Sequence, residues 1–178
     1  MDAYGFLKFV HVLSAFAWVG GGLTFVVFTL VIGPNVDRQM RLMSEMAGVG
    51  LALLTPGALL TLVSGGLLVW LGAWGAEAWV AISLILALIS AVNGGAVLGP
   101  RLGKVAAAEA AGDRAAALAA AQRILPFSRA EQMGNVLVIF LMVTKPGWGE
   151  LWIAALAAML LAGLGVVLVR RGRLPGAT

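Results

Sequence analysis

Five long apolar runs, Gly5 to Val31, Val49 to Leu71, Ala78 to Leu98, Arg129 to Thr144 and Leu151 to Val169, leave this chain few ways to fold. Each approaches the roughly 20 residues that carry a helix across about 30 Å of hydrocarbon. With 61% hydrophobic against 11% charged residues, there is too little polar surface to wrap such runs in a water-soluble shell. Inside lipid every backbone N–H and C=O must find its partner within the protein, which helices achieve segment by segment. The expectation is an all-α, polytopic transmembrane helical bundle forming one domain over 1–178. It has five spans, or four if 129–144 only re-enters the bilayer. That fourth run is the shortest and is entered through Glu131, Asn135 and a capping-box pattern from Ser128 to Glu131.

Charge fixes the expected orientation. Short cytoplasmic loops retain Lys and Arg, and translocated loops are poor in both. With the N-terminus outside, Arg38, Arg41, Arg101, Lys104, Arg114, Arg123, Arg129, Arg170, Arg171 and Arg173 fall on the inner side, and only Lys8 and Lys145 on the outer. The same N-out, C-in arrangement puts Tyr4, Trp70, Trp74, Trp79, Trp148 and Trp152 at the outer boundary, where amphipathic rings meet headgroups. The net charge of +4 is thereby explained by orientation and lipid contact. The basic residues flank helix ends without interleaved aromatics, so no nucleic-acid partner is expected. Asp2 stands where a cleavable signal would carry basic residues, so none is expected.

Two segments on the inner side read as helical, 34–48 and 104–125. The first follows Pro34 and spaces Met40, Met43 and Met46 three apart, a stripe that either packs against the bundle or offers thioethers to copper. The second is alanine-rich, breaks near Gly112 and Asp113, and should end at Pro126 as a hairpin or bent linker at the membrane surface. Glycine patches at Gly20 to Gly22, Gly65–Gly66 and Gly94–Gly95 allow close helix approach or leave space for a flat ligand, while Pro56 should kink the second span. Asn93 and Asn135 are placed to hydrogen-bond between helices.

Function centres on His11, the single histidine of a chain without cysteine. An ionisable group within a span is a functional hypothesis, because hydrocarbon penalises it unless it is paired, hydrated or liganded. Lys8, His11, Ser14, Trp18, Gly21 and Phe25 recur every three or four residues and so share a helix face. His11 is expected to be neutral, since desolvation disfavours imidazolium and the only acids on its side are Glu77 and Glu150 on outer loops. A neutral imidazole can ligate a metal or haem iron, relay a proton or bond a neighbouring helix. One histidine without cysteine cannot hold zinc or copper alone, whereas haem needs only one axial histidine, with Met142, Met159 or water opposite. Lys8 and Lys145 would pair carboxylates. The expected cofactor-binding set is His11, Lys8, Trp18, Met142 and Lys145, with His11 as the metal ligand and no catalytic residue. Copper handling by His11 and the methionines is one alternative. A structural or assembly subunit, alone as a homo-oligomer or with other membrane subunits, is another.

The pattern Lys8-x-x-His11-x6-Trp18-x-Gly-Gly21 resembles the opening helix of the CopD-like copper-resistance family and of the HemJ-type protoporphyrinogen oxidase family. Phe140-Leu-Met142-Val-Thr-Lys145-Pro146 resembles a late helix of the DUF2269 group of predicted integral membrane proteins, which also begin with a histidine-bearing helix. These resemblances imply a multi-pass protein of a bacterial cytoplasmic membrane that handles haem, porphyrin or copper. HemJ-type enzymes continue their first helix to a Pro-Arg pair, where this chain has the wholly apolar Leu23 to Val31. Without that arginine to meet a porphyrin propionate, oxidase activity is not expected.

Overall fold

The computed structural model describes residues 2–171, and in them the chain runs up and down as five long helices. They are α1 (Ala3–Ile32), α2 (Val36–Gly72), α3 (Ala78–Ala110), α4 (Arg114–Thr144) and α5 (Leu151–Arg171). Their ends are written in local chemistry. Asp2 accepts the Gly5 N–H at 2.7 Å, Asn35 the Arg38 N–H at 3.1 Å and Asp113 the Ala116 N–H at 3.0 Å, each removing an orphan donor from a helix start. Gly33 and Gly112 take φ of 63° and 71°, a left-handed backbone that stops α1 and α3 and turns the chain back.

Four of these helices, α1, α2, α3 and α5, are long and apolar enough to cross a membrane. The exterior is apolar: Phe16, Leu51 and Val143 are 75%, 79% and 76% exposed. The seams between helices instead hold small and hydroxylated residues such as Ser14, Ala58, Thr61, Ser64, Ser83, Ala87 and Ser90. Lipid tails give no hydrophobic drive for helix association, so close packing of small residues and interhelical hydrogen bonds replace it. The charges and rings separate along the bundle. Tyr4, Trp74, Trp79 and Lys145 cluster at one end, called here the aromatic end, and the arginine-rich turns lie at the other, the basic end.

The two helical segments expected at the inner side are helical but do not form separate elements. Residues 36–48 run directly into α2, and 99–110 continue α3. With the first part of α4 they stand upright as an extension of the bundle, closed by a core of Phe25, Met40, Met43, Val105, Ala121 and Ile124. Met40 and Met43 are therefore packing residues. Pro126 does not end a helix: α4 passes through it. Likewise Ser128 and Glu131 form no capping box, because they lie inside α4, where Ser128 bonds back to the Leu125 carbonyl.

The kink expected at Pro56 takes a specific form. A π-turn, Gly50–Leu54, precedes it, with the Thr55 N–H reaching the Gly50 carbonyl five residues back. The same device recurs at Gly94–Leu98 before Pro100, where the Gly99 N–H reaches Gly94. Proline lacks a donor and its ring crowds the carbonyl four residues earlier, so widening the preceding turn relieves both problems. A third π-turn, Phe16–Gly20, opens the glycine run of α1.

Polar groups gather where helices end at the basic side. Gln39 donates to the carbonyls of Thr29 (2.6 Å) and Gly33 (3.0 Å), satisfying the last turn of α1. Arg129, 1% exposed, donates to the Leu168 carbonyl in the last described turn of α5 (2.8 Å) and to the Thr29 hydroxyl (3.1 Å). A cation at a helix C-terminus meets the negative end of its dipole.

Candidate functional site

His11 is half-buried in the seam between α1 and the second half of α2. The α2 sequence makes that seam possible: Gly57, Thr61, Ser64 and Gly65 fall on one face, two without side chains and two with hydroxyls. A Cβ on Gly57 would meet the Ser14 carbonyl at 3.3 Å, and one on Gly65 would meet His11 Cε1 at 2.9 Å. Glycine at 65 thus makes the space the imidazole occupies.

Hydrogen bonds then fix the ring. His11 Nδ1 lies 3.0 Å from the Thr61 carbonyl and 3.2 Å from Ser64 Oγ. A carbonyl only accepts, so Nδ1 carries the proton and Nε2 is left with its lone pair. Ser64 donates to the Leu60 carbonyl at 2.5 Å, leaving its oxygen to share the Nδ1 proton. Below the ring, Thr61 Oγ1 lies 3.0 Å from Ser14 Oγ, and Ser14 donates to the His11 carbonyl at 3.0 Å. Among the described residues Nε2 has no hydrogen-bond partner.

The predicted face of α1 divides. Ser14, Trp18 and Phe25 are buried and His11 is half-buried, but Lys8 is exposed and its ammonium lies 5.4 Å from the Tyr4 ring. Trp18 packs with Val19, Ala58 and Ala87, deeper in the bundle than His11. Lys145 stands over Trp74 (5.1 Å) and Trp79 (5.3 Å), both attractive cation–π contacts at the aromatic end. Tyr4 meets Trp74 edge-on at 6.3 Å, so the two lysines bracket one aromatic cluster. Met142 is half-buried on α4, whereas the His11 seam belongs to α1 and α2. The structure brings His11, Ser14, Thr61 and Ser64 together, turns Lys8 toward Tyr4, and leaves Met142 and Lys145 on α4 and at its end.

Sequence reasoning missed Thr61 and Ser64. Their signal was present as two hydroxyls three apart between glycines in an otherwise apolar helix. It also missed Gln132, whose amide fills the notch at Gly22; the buried Asn135, expected to bond between helices, instead donates to Gln132 one turn earlier on its own helix (3.4 Å). Among the described residues no three His, Cys, Asp or Glu side chains cluster as metal ligands. Met43 lies about 27 Å along α2 from Thr61, at 1.5 Å per residue, so the methionine stripe is remote from His11. A separate apolar groove of about 520 Å³ runs between α4 and α5, lined by Met133, Gly134, Leu137, Leu161 and Val166, and does not include His11.

A model of the DUF2269 family of predicted integral membrane proteins matches residues 5–146, from α1 through the end of α4. The chain belongs to that family, and it is an integral membrane protein. No curated protein and no solved structure matches it.

Proposed function

We propose that this DUF2269 protein is a five-span protein of a bacterial cytoplasmic membrane, N-terminus outside, which holds haem or a related porphyrin through Nε2 of His11. The observation that carries the reading is the bond from Nδ1 to the Thr61 carbonyl. Ligating histidines characteristically donate their other ring N–H to a carbonyl or carboxylate, which fixes the tautomer and raises the basicity of the free nitrogen. One neutral imidazole nitrogen would suffice to hold haem iron, and the free Nε2 would be that donor. Copper would need further ligands beside His11, and the methionines lie in the core at the basic end. Lys8, exposed one turn toward the aromatic end beside Tyr4, would pair a carboxylate of the ligand, while Lys145 and Trp18 bound the site only at a distance. When bound, haem would supply one-electron redox chemistry; the chain's own part is to hold the ring nitrogen and to seal the seam from the bundle interior.

Absorption spectra of protein purified from haem-replete cells test this. A Soret band is expected in the wild type, lost in His11→Ala and weakened in Lys8→Gln, with both variants still inserted. A wild-type protein without that band sinks the proposal. The second reading then stands, in which His11, Ser14, Thr61 and Ser64 only lock α1 to α2 within a structural or assembly subunit, a role their mutual hydrogen bonds favour.

A further inference from the structure

A second ionisable group lies within the bundle, away from His11 and unused by the reading above. Glu131 projects from α4 toward α3, where Ser90 Oγ donates to its Oε1 at 2.9 Å. Its other oxygen, Oε2, is buried with no hydrogen-bond partner. From Thr144 at the aromatic end, Glu131 is about 20 Å down α4, at 1.5 Å per residue, which is well inside a hydrocarbon layer of about 30 Å.

No cation neutralises it. The facing part of α3, Ala78–Asn93, contains no charged residue, and Arg101, Lys104 and Glu109 all lie beyond the π-turn in the basic extension. On α5 the charge nearest that end is Arg170, and on α2 Asp37, Arg38, Arg41 and Glu45 lie in its first turns. Lys8 and His11 of α1 belong to the aromatic-side half. Arg129 is two residues earlier on α4 but about 200° round the helix, and it is committed to Leu168 and Thr29. The one ion pair among the described residues, Arg114 with Asp37, is at the basic tip.

The surroundings also have room. The π-turn Gly94–Leu98 sits beside the carboxyl, a Cβ on Gly94 would stand 3.8 Å from Oε1, and one on Gly95 would meet nothing within 4 Å. Widened turns of this kind recur at functional sites in membrane and soluble helices. A small metal cation would need several oxygen ligands, and the one hydroxyl here already points its proton at the carboxylate.

We propose that Glu131 is a proton-binding site in the membrane interior, its carboxyl carrying the proton on Oε2 while Ser90 holds Oε1, beside the glycine π-turn of α3. Ser90 is a positioning residue: it orients the carboxyl and leaves one oxygen to take and release the proton. The proposal does not rest on haem binding at His11.

Dicyclohexylcarbodiimide, an apolar reagent for protonated carboxyls in lipid, provides the test on full-length protein in native membrane vesicles. The acid proton passes to one reagent nitrogen, the carboxyl oxygen adds to the central carbon, and an acyl shift leaves a stable N-acylurea with every atom retained. Peptide mass spectrometry should find the adduct on Glu131, formed several-fold faster at about pH 6 than at about pH 9, while ordinary exposed carboxyls are already ionised at both. Infrared difference spectra should show a protonated-carboxyl band that Glu131→Gln removes. Labelling equal at both pH values, no adduct on Glu131, or protection by sodium ions at fixed pH would each overturn the assignment. The wild-type labelling decides the question even if Glu131→Gln fails to fold.

Discussion

Replacing Gly65 by alanine probes the His11 seam at its tightest point. The new methyl would stand 2.9 Å from Cε1 and 3.3 Å from Nδ1 of His11, inside van der Waals contact. The imidazole is flat and held at Nδ1, so relief requires either that the ring leave the Thr61 carbonyl or that α1 and α2 move apart. Leaving the carbonyl costs about 1 kcal/mol for one hydrogen bond. Separating the helices costs about 1–3 kcal/mol, as overpacking does elsewhere. The usual gain of about 1 kcal/mol for Gly→Ala in a helix is largely cancelled, because a membrane protein unfolded in micelles keeps much of its helix. A net destabilisation of about 1–3 kcal/mol is expected. Gly66 supplies the control: a Cβ there meets nothing within 4 Å, so Gly66→Ala should stay within about 0.5 kcal/mol of wild type. Equilibrium unfolding by SDS in mixed micelles, followed by tryptophan fluorescence, measures both, and nitrogen NMR of the one histidine reports the ring. Equal stability of the two variants, with an unchanged Nδ1–H signal in Gly65→Ala, would refute the packing argument.

Gly22→Ala should be more damaging, at about 2–4 kcal/mol, because the added Cβ falls on the Gln132 amide and expels a buried polar group from its notch; the same SDS titration checks it. Arg129→Ala should cost about 2–4 kcal/mol by stripping charged hydrogen bonds from Leu168 and Thr29, whereas Arg129→Met, which keeps the volume and removes a buried charge, should cost less; a methionine variant worse than alanine would contradict the account. Single cysteines at Gly75 and Gly149 should react with an impermeant thiol reagent in intact cells and one at Ala111 should not. Ala111 is chosen over its neighbour Gly112, whose φ of 71° would strain any side chain.

The membrane class and the existence of helices were legible because long apolar runs admit almost nothing else. The sequence was less informative about how those helices stand. An alanine-rich stretch such as Lys104 to Leu125 has one helical signal whether it lies on a surface or rises upright, and only its contacts with Met43 and Phe25 decide. The polar run from Ser128 to Asn135 looked like the entry to a span, yet Ser128, Arg129, Gln132 and Asn135 are buried, and Arg129 and Glu131 are met by Thr29, Leu168 and Ser90 from other helices. Those partners are 39 to 100 residues away in the chain, beyond any local pattern. At the candidate site, helical spacing put Ser14 next to His11, as found, whereas Trp18 packs deeper against Ala58 and Ala87. Lys145 was drawn toward His11 by charge and side of membrane alone, and the tryptophans proved the stronger attraction.

The buried polar stripe of α4 has a consequence for how the protein is made. A translocon passes segments to lipid according to their own apolarity, and arginine or glutamate near the centre of a segment opposes entry by about 2.5–3.5 kcal/mol each. α1, α2, α3 and α5 are apolar enough to enter singly, and α4 is not. Its polar groups find their partners on helices synthesised before it, Thr29 of α1 and Ser90 of α3, and on Leu168 of α5, synthesised after it. If α4 crosses the bilayer as proposed, α1 and α3 must wait beside the exit until it arrives, and its arginine stays incompletely bonded until α5 emerges. A ribosome stalled just after Thr144 would expose that dependence as a helix still awaiting its last neighbour.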